Sequence, residues 1–583
     1  DLRVSFLQST TSSGEFLHIS VCISKMAPVA PALAAAAVAL ASIAALPALA
    51  GASAFLEARG PAGPRSDLLD ELEAALGSGR RAATESRVAL FEDAMRPIFQ
   101  AMPRNGEDRL PASGVRYLLH RVFVERHGWF VEGLTSAGES WNSSSPASFF
   151  AEHAGDEAHG IFERRLGDRG LSLHEAAVFA ATLESLVHEE TLERLHSTHH
   201  LLGFGAQEDS ATEREVEQVI DTYMLMLVLG LGHTAVSREV VLAASERMDE
   251  IYPNWHQVQK WVREVRKEVV SASPESRTAF STTVSVLEEV AERYGRWQDS
   301  ECIALKDDLM KIEKDGSGRV PLQDFYAAAL NGSYQFTEKR EYLRQLGALD
   351  ESQASHPSVI IPNYINSASN CLASSKFYSV CCINECESLL RPLERHIGAP
   401  DALPSEIVAL VQKLPSSTVD APRALPASLT QRLEEIAAGS GGRVPIHGRL
   451  FSQWMHHAFP RECPYPHVSG TTQQMTPSQF HQEVGESSSH DSFSLEAEIE
   501  VYKQAAEVAA ATEEAVKIEL PWAAEEELFV PMPTRASGGR SRGFVRGAMM
   551  FFAASSLSVV ALKTAAASMA FGSDKKRVDK YVV

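Results

Sequence analysis

Residues 313–326 read EKDGSGRVPLQDFY, and this stretch decides the predicted fold. Helical patterns flank it, from Ile303 to Ile312 before it and from Phe325 to Leu330 after it. Oxygen-bearing side chains recur at alternate positions of its first half, and Gly318 permits a sharp turn between them. We therefore expect a helix–loop–helix unit whose loop is suited to surround a cation.

The loop resembles that of the EF-hand family over roughly 30 residues. The resemblance implies a metal site with five ligands: Glu313 at loop position 1, Asp315 at 3, Ser317 at 5, the backbone carbonyl of Arg319 at 7 and Asp324 at 12. Glu313 is longer than the usual Asp, and Asp324 is shorter than the usual bidentate Glu. Calcium is the predicted ion, with magnesium or no ion as the alternatives.

Two other stretches share the frame of this loop, PRNGEDRLPASGVRY from Pro103 and AAGSGGRVPIHGRLF from Ala437. In all three, an Arg precedes Leu or Val and then Pro, and an aromatic residue follows. The outer two have Gly114 and Gly448 at position 12, so they keep the turn and the apolar residue without the acidic ligands. A weaker fourth match begins at Gly170. The repeat predicts degenerate units paired around position 8; the alternative is a set of independent helix–turn–helix segments.

Apolar residues recur at three- and four-residue spacing over most of the chain, which predicts a mainly α fold. We expect a multi-helix domain of degenerate EF-hand-like units plus a C-terminal transmembrane helix. The predicted divisions are an N-terminal helical domain at 66–250, a helical segment with the 313–324 loop at 251–350, a Cys-containing region with an EF-like unit (437–459) at 351–467, and a polar linker and acidic tether at 468–546.

Both ends of the chain indicate a membrane-associated protein. We interpret residues 1–25 as a leader outside the native protein and residues 26–54 as a signal peptide, since Ala52-Ser53-Ala54 fits signal peptidase cleavage. Residues 547–572 are apolar over a length that crosses a bilayer, and residues 573–583 form a basic tail. The predicted location is the secretory pathway or endomembranes with one span; a complex plastid membrane is the alternative.

Six of the seven Cys follow the predicted signal peptide, and four of them cluster in residues 371–386. In a secretory protein this even number favours three disulfides, with free thiols or a metal site as the alternatives. Cys381 and Cys382 are adjacent, so each is expected to bond elsewhere. The crosslinks would constrain residues 300–467.

The charge of the chain argues against binding nucleic acid. Asp and Glu number 76 against 54 Lys and Arg, which gives a formal net charge of −22. Phosphate contacts need clustered basic residues, whereas an acidic chain suits a basic protein partner. The sequence contains no nucleotide-binding or hydrolase motif, so an enzyme is the less favoured reading.

Two segments bring His residues close to aromatic residues. RYLLHRVFVERHGWF contains His120 and His127, and QWMHHAFPRECPYPH contains His456, His457, Cys463 and His467. Neither spacing matches a zinc fold. We therefore interpret both segments as aromatic-rich helix faces with hydrogen-bonded His.

These two segments, with HPSVIIPNYI and FYSVCCINECE, resemble a large family of unicellular-algal proteins with signal peptides. The resemblance implies a shared fold and the secretory route, and it implies no catalytic residues. The predicted function is a membrane-tethered lumenal cation-binding or structural protein. The alternatives are an enzyme, either a hydrolase or a thiol oxidoreductase using the Cys381–Cys386 cluster, and an assembly subunit of a membrane complex.

Overall fold

A computed structural model describes residues 81–484, apart from residues 132, 135–144, 149–155, 205–211, 232–236, 273–278, 331–335, 354–355, 373–374 and 376, together with residues 68, 71–72, 499–500 and 521–532. The prediction of a mainly helical chain is confirmed for this part. Within it, no helix combines the length and apolar character that a bilayer crossing requires. The predicted leader, signal peptide, membrane span and basic tail lie outside the described residues.

The N-terminal part contains two helix–loop–helix units that pack against each other, and we call them the first pair. Its helices are α1 (Arg81–Ala101), α2 (Ala112–His127), α3 (Asp156–Asp168) and α4 (Leu173–Leu202). Its two loops meet at Leu110 and Leu171, whose backbone N–H groups donate to each other's carbonyls at 2.8 and 3.0 Å. Ser172 then caps α4, since its hydroxyl accepts from the N–H of Glu175 while the Glu175 carboxylate accepts from Ser172 N–H.

A layer of helices packs beside this pair and leads to the rest of the chain. It consists of α5 (Glu213–Val228), α6 (Arg238–Glu246), α7 (Met248–Ile251), α8 (Trp255–Ala272) and α9 (Ala279–Ile312). Helix α9 has 34 residues and joins two cores. Its Val286, Val290 and Tyr294 are buried with the first pair, whereas Leu305 and Leu309 are buried with the unit that follows.

The second pair is built around the 313–324 loop. Its elements are the end of α9, β2 (Arg319–Pro321), α10 (Leu322–Ala329), α11 (Arg340–Gln345), β3 (Leu349–Asp350), β4 (Ser358–Ile360) and α12 (Ile361–Ile365). The strands form an antiparallel sheet in the order β2-β4-β3, with Val320 opposite Val359. Strand β5 (Tyr378–Val380) pairs separately with β1 (Trp129–Val131) of the N-terminal part.

The third pair contains the loop that begins at Ala437. Its elements are α13 (Cys386–Ile397), β6 (Asp401–Ala402), α14 (Pro404–Val411), α15 (Ala427–Gly439), β7 (Val444–Pro445) and α16 (Arg449–Ala458), followed by α17 (Pro477–Val484). Strands β6 and β7 pair antiparallel, with Ala402 opposite Val444. The buried apolar residues of the described chain form three clusters, one around each pair.

Three disulfides connect these parts, as the even Cys count predicted. Cys302 in α9 bonds Cys382, Cys371 bonds Cys381, and Cys386 at the start of α13 bonds Cys463 beyond α16. The adjacent Cys381 and Cys382 therefore take different partners. Two bonds close long stretches of chain, with separations of 80 and 77 residues. In the chain-entropy model each raises the free energy of the unfolded chain by about 4.5 kcal/mol at room temperature.

The acidic stretch near the C-terminal end matches its predicted helical form only in part. Residues 493–529 have a helical spacing of Glu residues; of these the structure describes residues 499–500, which are helical, and residues 521–529, which are not helical and pack on α16. The reason is that hydrogen-bonding groups of the third pair capture this backbone, and such tertiary contacts override a weak local helical preference.

Candidate functional site

The 313–324 loop turns sharply between two helices. It starts where α9 ends, and it passes through left-handed conformations at Asp315, Gly316 and Gly318 (φ 62°, 65° and 72°). It forms β2 at positions 7–9 and enters α10 at position 10. The Glu313 carboxylate accepts a hydrogen bond from the N–H of Gly318, so position 1 closes the turn around position 6.

An arginine from the third pair binds the first predicted ligand. Arg461 Nε donates to Glu313 Oε2 at 2.7 Å, and the Glu313 side chain is only 1% exposed. The other carboxylate oxygen of Glu313 already accepts from Gly318. Both carboxylate oxygens of Glu313 therefore have protein donors.

The same contact explains why position 6 needs glycine. A Cβ added to Gly318 would lie 2.0 Å from the carbonyl oxygen of Pro460, which precedes Arg461. The loop thus docks by close backbone approach onto the segment after α16. That segment is itself fixed by the Cys386–Cys463 disulfide.

Of the remaining predicted ligands, Asp324 and Ser317 have partners within the loop. Asp324 pairs with Lys314 at 3.0 Å, and the Ser317 hydroxyl donates to the Lys314 carbonyl at 3.1 Å. Asp315 is exposed, and the side chain of Arg319 turns away to Asp350. In the described part of the chain, no three His, Cys, Asp or Glu side chains form a metal-binding group.

The Arg at position 7 has an equivalent role in all three pairs. Each binds a carboxylate of the partner loop: Arg109 binds Glu175 at 2.6 Å, Arg319 binds Asp350 at 2.7 Å, and Arg443 binds Asp401. We call these contacts the arginine ties. The next residue is fully buried in each case, at Leu110, Val320 and Val444. The tie and the buried apolar residue together hold the two loops of a pair.

The arginine ties were missed in the sequence, although a signal for two of their partners is present. The second and third partner loops read Gly347-Ala348-Leu349-Asp350 and Gly398-Ala399-Pro400-Asp401. Both begin with a left-handed glycine (φ 67° and 56°) and place Asp three residues later. This shared pattern marks the loops that receive the Arg-Val-Pro segments.

A buried histidine also hydrogen-bonds to the arginine of the second pair's tie. His456 Nδ1 donates to the Cys463 carbonyl at 2.7 Å, which leaves Nε2 to accept from Arg319 Nη1 at 3.2 Å. Burial, followed by the nearby charge of Arg319, lowers the pKa of His456 well below its usual range. A neutral ring is required for this arrangement, because only the neutral ring can accept a hydrogen bond.

The other candidate His residues also have structural partners. His457 and His467 donate through Nε2 to the carbonyls of Pro521 and Gly347 at 3.1 and 2.7 Å. His127 lies 3.1 Å from Glu184 and stacks on Trp129, with ring centres 4.3 Å apart. His120 meets the ring of Phe130 edge-on. His456 and His457 thus lie on α16 with hydrogen-bonded rings, whereas His467 is hydrogen-bonded from the loop that follows α16.

A second buried network joins the first and third pairs, and the spacing of its residues in the sequence gave no indication of it. Arg121 of α2 binds Glu387 and Glu394 of α13, and His447 Nε2 lies 2.8 Å from Glu394. Burial alone would raise the pKa of Glu394, but the charge of Arg121 and the hydrogen bond from His447 bring it to about 2. The carboxylate therefore stays ionised, and the network fixes one pair against the other.

Comparisons with known proteins gave no match: no family model, no curated protein and no solved structure is similar to this chain.

Proposed function

We propose that this chain is a non-catalytic structural protein of the secretory pathway, tethered by one membrane span. Its three helix–loop–helix pairs are degenerate EF-hand-like units in which protein contacts replace bound ions. The observation that supports this proposal best is the set of three arginine ties, each of which places a guanidinium between two loops.

The physical argument concerns charge. A carboxylate that is largely shielded from water needs a positive charge beside it, and arginine supplies that charge permanently with several directed donors. Arg319 and Asp350 are only 11% and 10% exposed, so their attraction is weakly screened by water. A unit held in this way keeps its shape at any calcium concentration.

The compartment and the partner are argued from chemistry. Disulfides persist in oxidising compartments, and all six Cys of the described residues are paired. The predicted span at 547–572 would attach the domain to a membrane, and the acidic surface would suit a basic protein.

A weak cation site at residues 313–324 is the second part of the proposal. Glu313, Asp315, Ser317, the Arg319 carbonyl and Asp324 would bind one calcium ion, or magnesium, in competition with Arg461 and Lys314. Removal of the competing guanidinium in Arg461→Gln should strengthen calcium binding by roughly tenfold, because one positive charge leaves the site.

Two measurements on the full chain in detergent test these statements. Thermal unfolding with and without a chelator should give midpoints within about 2 °C of each other, whereas a metal-dependent fold unfolds on chelation. Calorimetric titration with calcium and magnesium should give weak heat that Asp315→Ala abolishes. Loss of structure on chelation would overturn the structural proposal; absence of heat in both the native protein and Arg461→Gln would remove only the cation site.

A further inference from the structure

Residues 521–530, PWAAEEELFV, are bound to the third pair as a peptide is bound to a receptor. The segment is extended, and it forms an antiparallel bridge between Leu528 and Gly448. Arg449 N–H donates to the Glu527 carbonyl at 2.8 Å, and Phe529 N–H donates to the His447 carbonyl at 3.1 Å. This is the hydrogen-bond pattern of strand addition, in which main-chain hydrogen bonds give affinity and pockets for side chains give specificity.

One buried side chain holds the middle of the segment. Arg449 is 1% exposed, and its guanidinium donates to the carbonyls of Ala523 and Glu525, with Nη2 2.7 Å and Nε 2.8 Å from those oxygens. Gln453 Oε1 accepts from Ala523 N–H at 3.3 Å. Donors and acceptors that serve a segment more than seventy residues away in the chain form a built backbone-recognition site.

The ends of the segment are anchored by aromatic rings. Trp522 stacks on His457 and lies under the guanidinium of Arg432, whose Cζ is 4.9 Å from the ring centre. Phe529 stacks on Tyr117 of α2, with ring centres 5.6 Å apart. Between these anchors, Ala524 and Glu525 are exposed. Aromatic side chains that pack into a partner surface are among the residues that most often carry the binding energy of an interface.

The acidic residues of the segment also fit this surface. Glu526 accepts from Leu450 N–H at 3.1 Å, and Glu527 accepts from Ser469 N–H. A Cβ on Gly448 would lie 2.8 Å from Glu526, so the absence of a side chain there makes room for the carboxylate. Gly114 likewise leaves room for the buried Val530.

We propose that α16, its preceding loop and the facing side of α2 form a peptide-binding groove for an extended, acidic segment with aromatic anchors. The chain's own residues 521–530 are the ligand that fills it. Because the ligand is attached to the same chain, its effective concentration is on the order of millimolar, and the groove stays filled in the intact protein.

The test cuts the chain between the segment and its groove after the protein has folded. A protease site inserted after Thr512, beyond the buried Ile499, lets the full chain fold intact in detergent and then be cut. The C-terminal fragment should co-elute with the body on size exclusion, and Trp522→Ala should release it. The matched control is Glu525→Ala, which alters an exposed side chain of the same segment and should leave the fragment bound.

A labelled peptide of residues 519–532 provides the second measurement. It should bind the cut protein at least roughly tenfold more tightly than the uncut protein, in which the attached segment competes. A scrambled peptide should not bind. The proposal is overturned if the native fragment elutes alone after cutting, or if Trp522→Ala stays bound and no peptide exchanges, because the segment would then be ordinary core.

Discussion

The loops of the second and third pairs share a frame, and they differ in what surrounds them. The 313–318 turn keeps acidic residues and docks on Pro460 and Arg461. The 437–442 turn has no acidic residue, and Gly441 and Gly442 have no neighbour within 4 Å of an added Cβ. Both keep the arginine tie and a fully buried valine.

This difference shows which features the pairing of two loops requires. The third pair holds its strands together without any acidic side chain in the turn, so the turn's carboxylates are dispensable for pairing. The tie and the buried valine are the features that both pairs keep. In the second pair the carboxylate of Glu313 serves a different contact, the docking of one pair on another.

The largest effect is expected from breaking the ties. Arg319→Leu leaves Asp350, which is 10% exposed, without its partner and should lower the free energy of unfolding by about 3–5 kcal/mol. Arg443→Leu should lower it by only about 1 kcal/mol, because Arg443 and Asp401 are 33% and 19% exposed. Urea denaturation followed by circular dichroism measures both. Equal losses would show that burial does not distinguish the two ties.

The two position-6 glycines give a sharper version of the comparison. Gly318→Ala should destabilise the protein by about 3 kcal/mol or more, since its Cβ meets the Pro460 carbonyl and its φ is 72°. Gly442→Ala has the φ penalty alone, about 1–2 kcal/mol. Thermal unfolding of the two variants decides the matter, and a smaller effect at Gly318 would contradict the docked geometry.

The buried valines should behave alike despite their different loops. Val320→Ala and Val444→Ala each remove two methyl groups from a site with 0% exposure, which should cost about 2 kcal/mol in either case. Hydrogen exchange of the β2 and β7 amides reports the local loss. Val270→Ala, at a position that is 44% exposed, is the control and should change neither strand. A large difference between the losses in the two variants would refute a common role for the two valines.

Acid should weaken the docked second pair through His456. Its folded pKa lies well below 6.5, so the unfolded chain binds more protons, and stability falls as the pH drops below about 6.5. This one group contributes up to about 1.4 kcal/mol per pH unit. Denaturation between pH 7 and pH 5 should give a shallower dependence for His456→Gln. Identical slopes would mean that the ring titrates in the folded protein.

The chain's local features were predictable because each depends on residues a few positions apart. The helix–turn–helix frame, the need for glycine at position 318 and the buried residue after each Arg all follow from spacing. The even number of Cys predicted disulfides, but spacing left 15 ways to join six Cys. The sequence shows that an Arg recurs before the buried residue, but it does not show that this Arg binds a carboxylate of the partner loop.

Spacing of residues along the chain was enough to predict that the chain is mainly helical, where its loops turn and which apolar residues lie inside them. Three features depend on the packed fold: which loops pair, the contact of Arg461 with Glu313, and the docking of residues 521–530 on α16. They escaped prediction because the residues concerned are far apart along the chain. Arg461 and Glu313 are 148 residues apart, so their contact depends on how whole helices pack, and no short-range pattern records it.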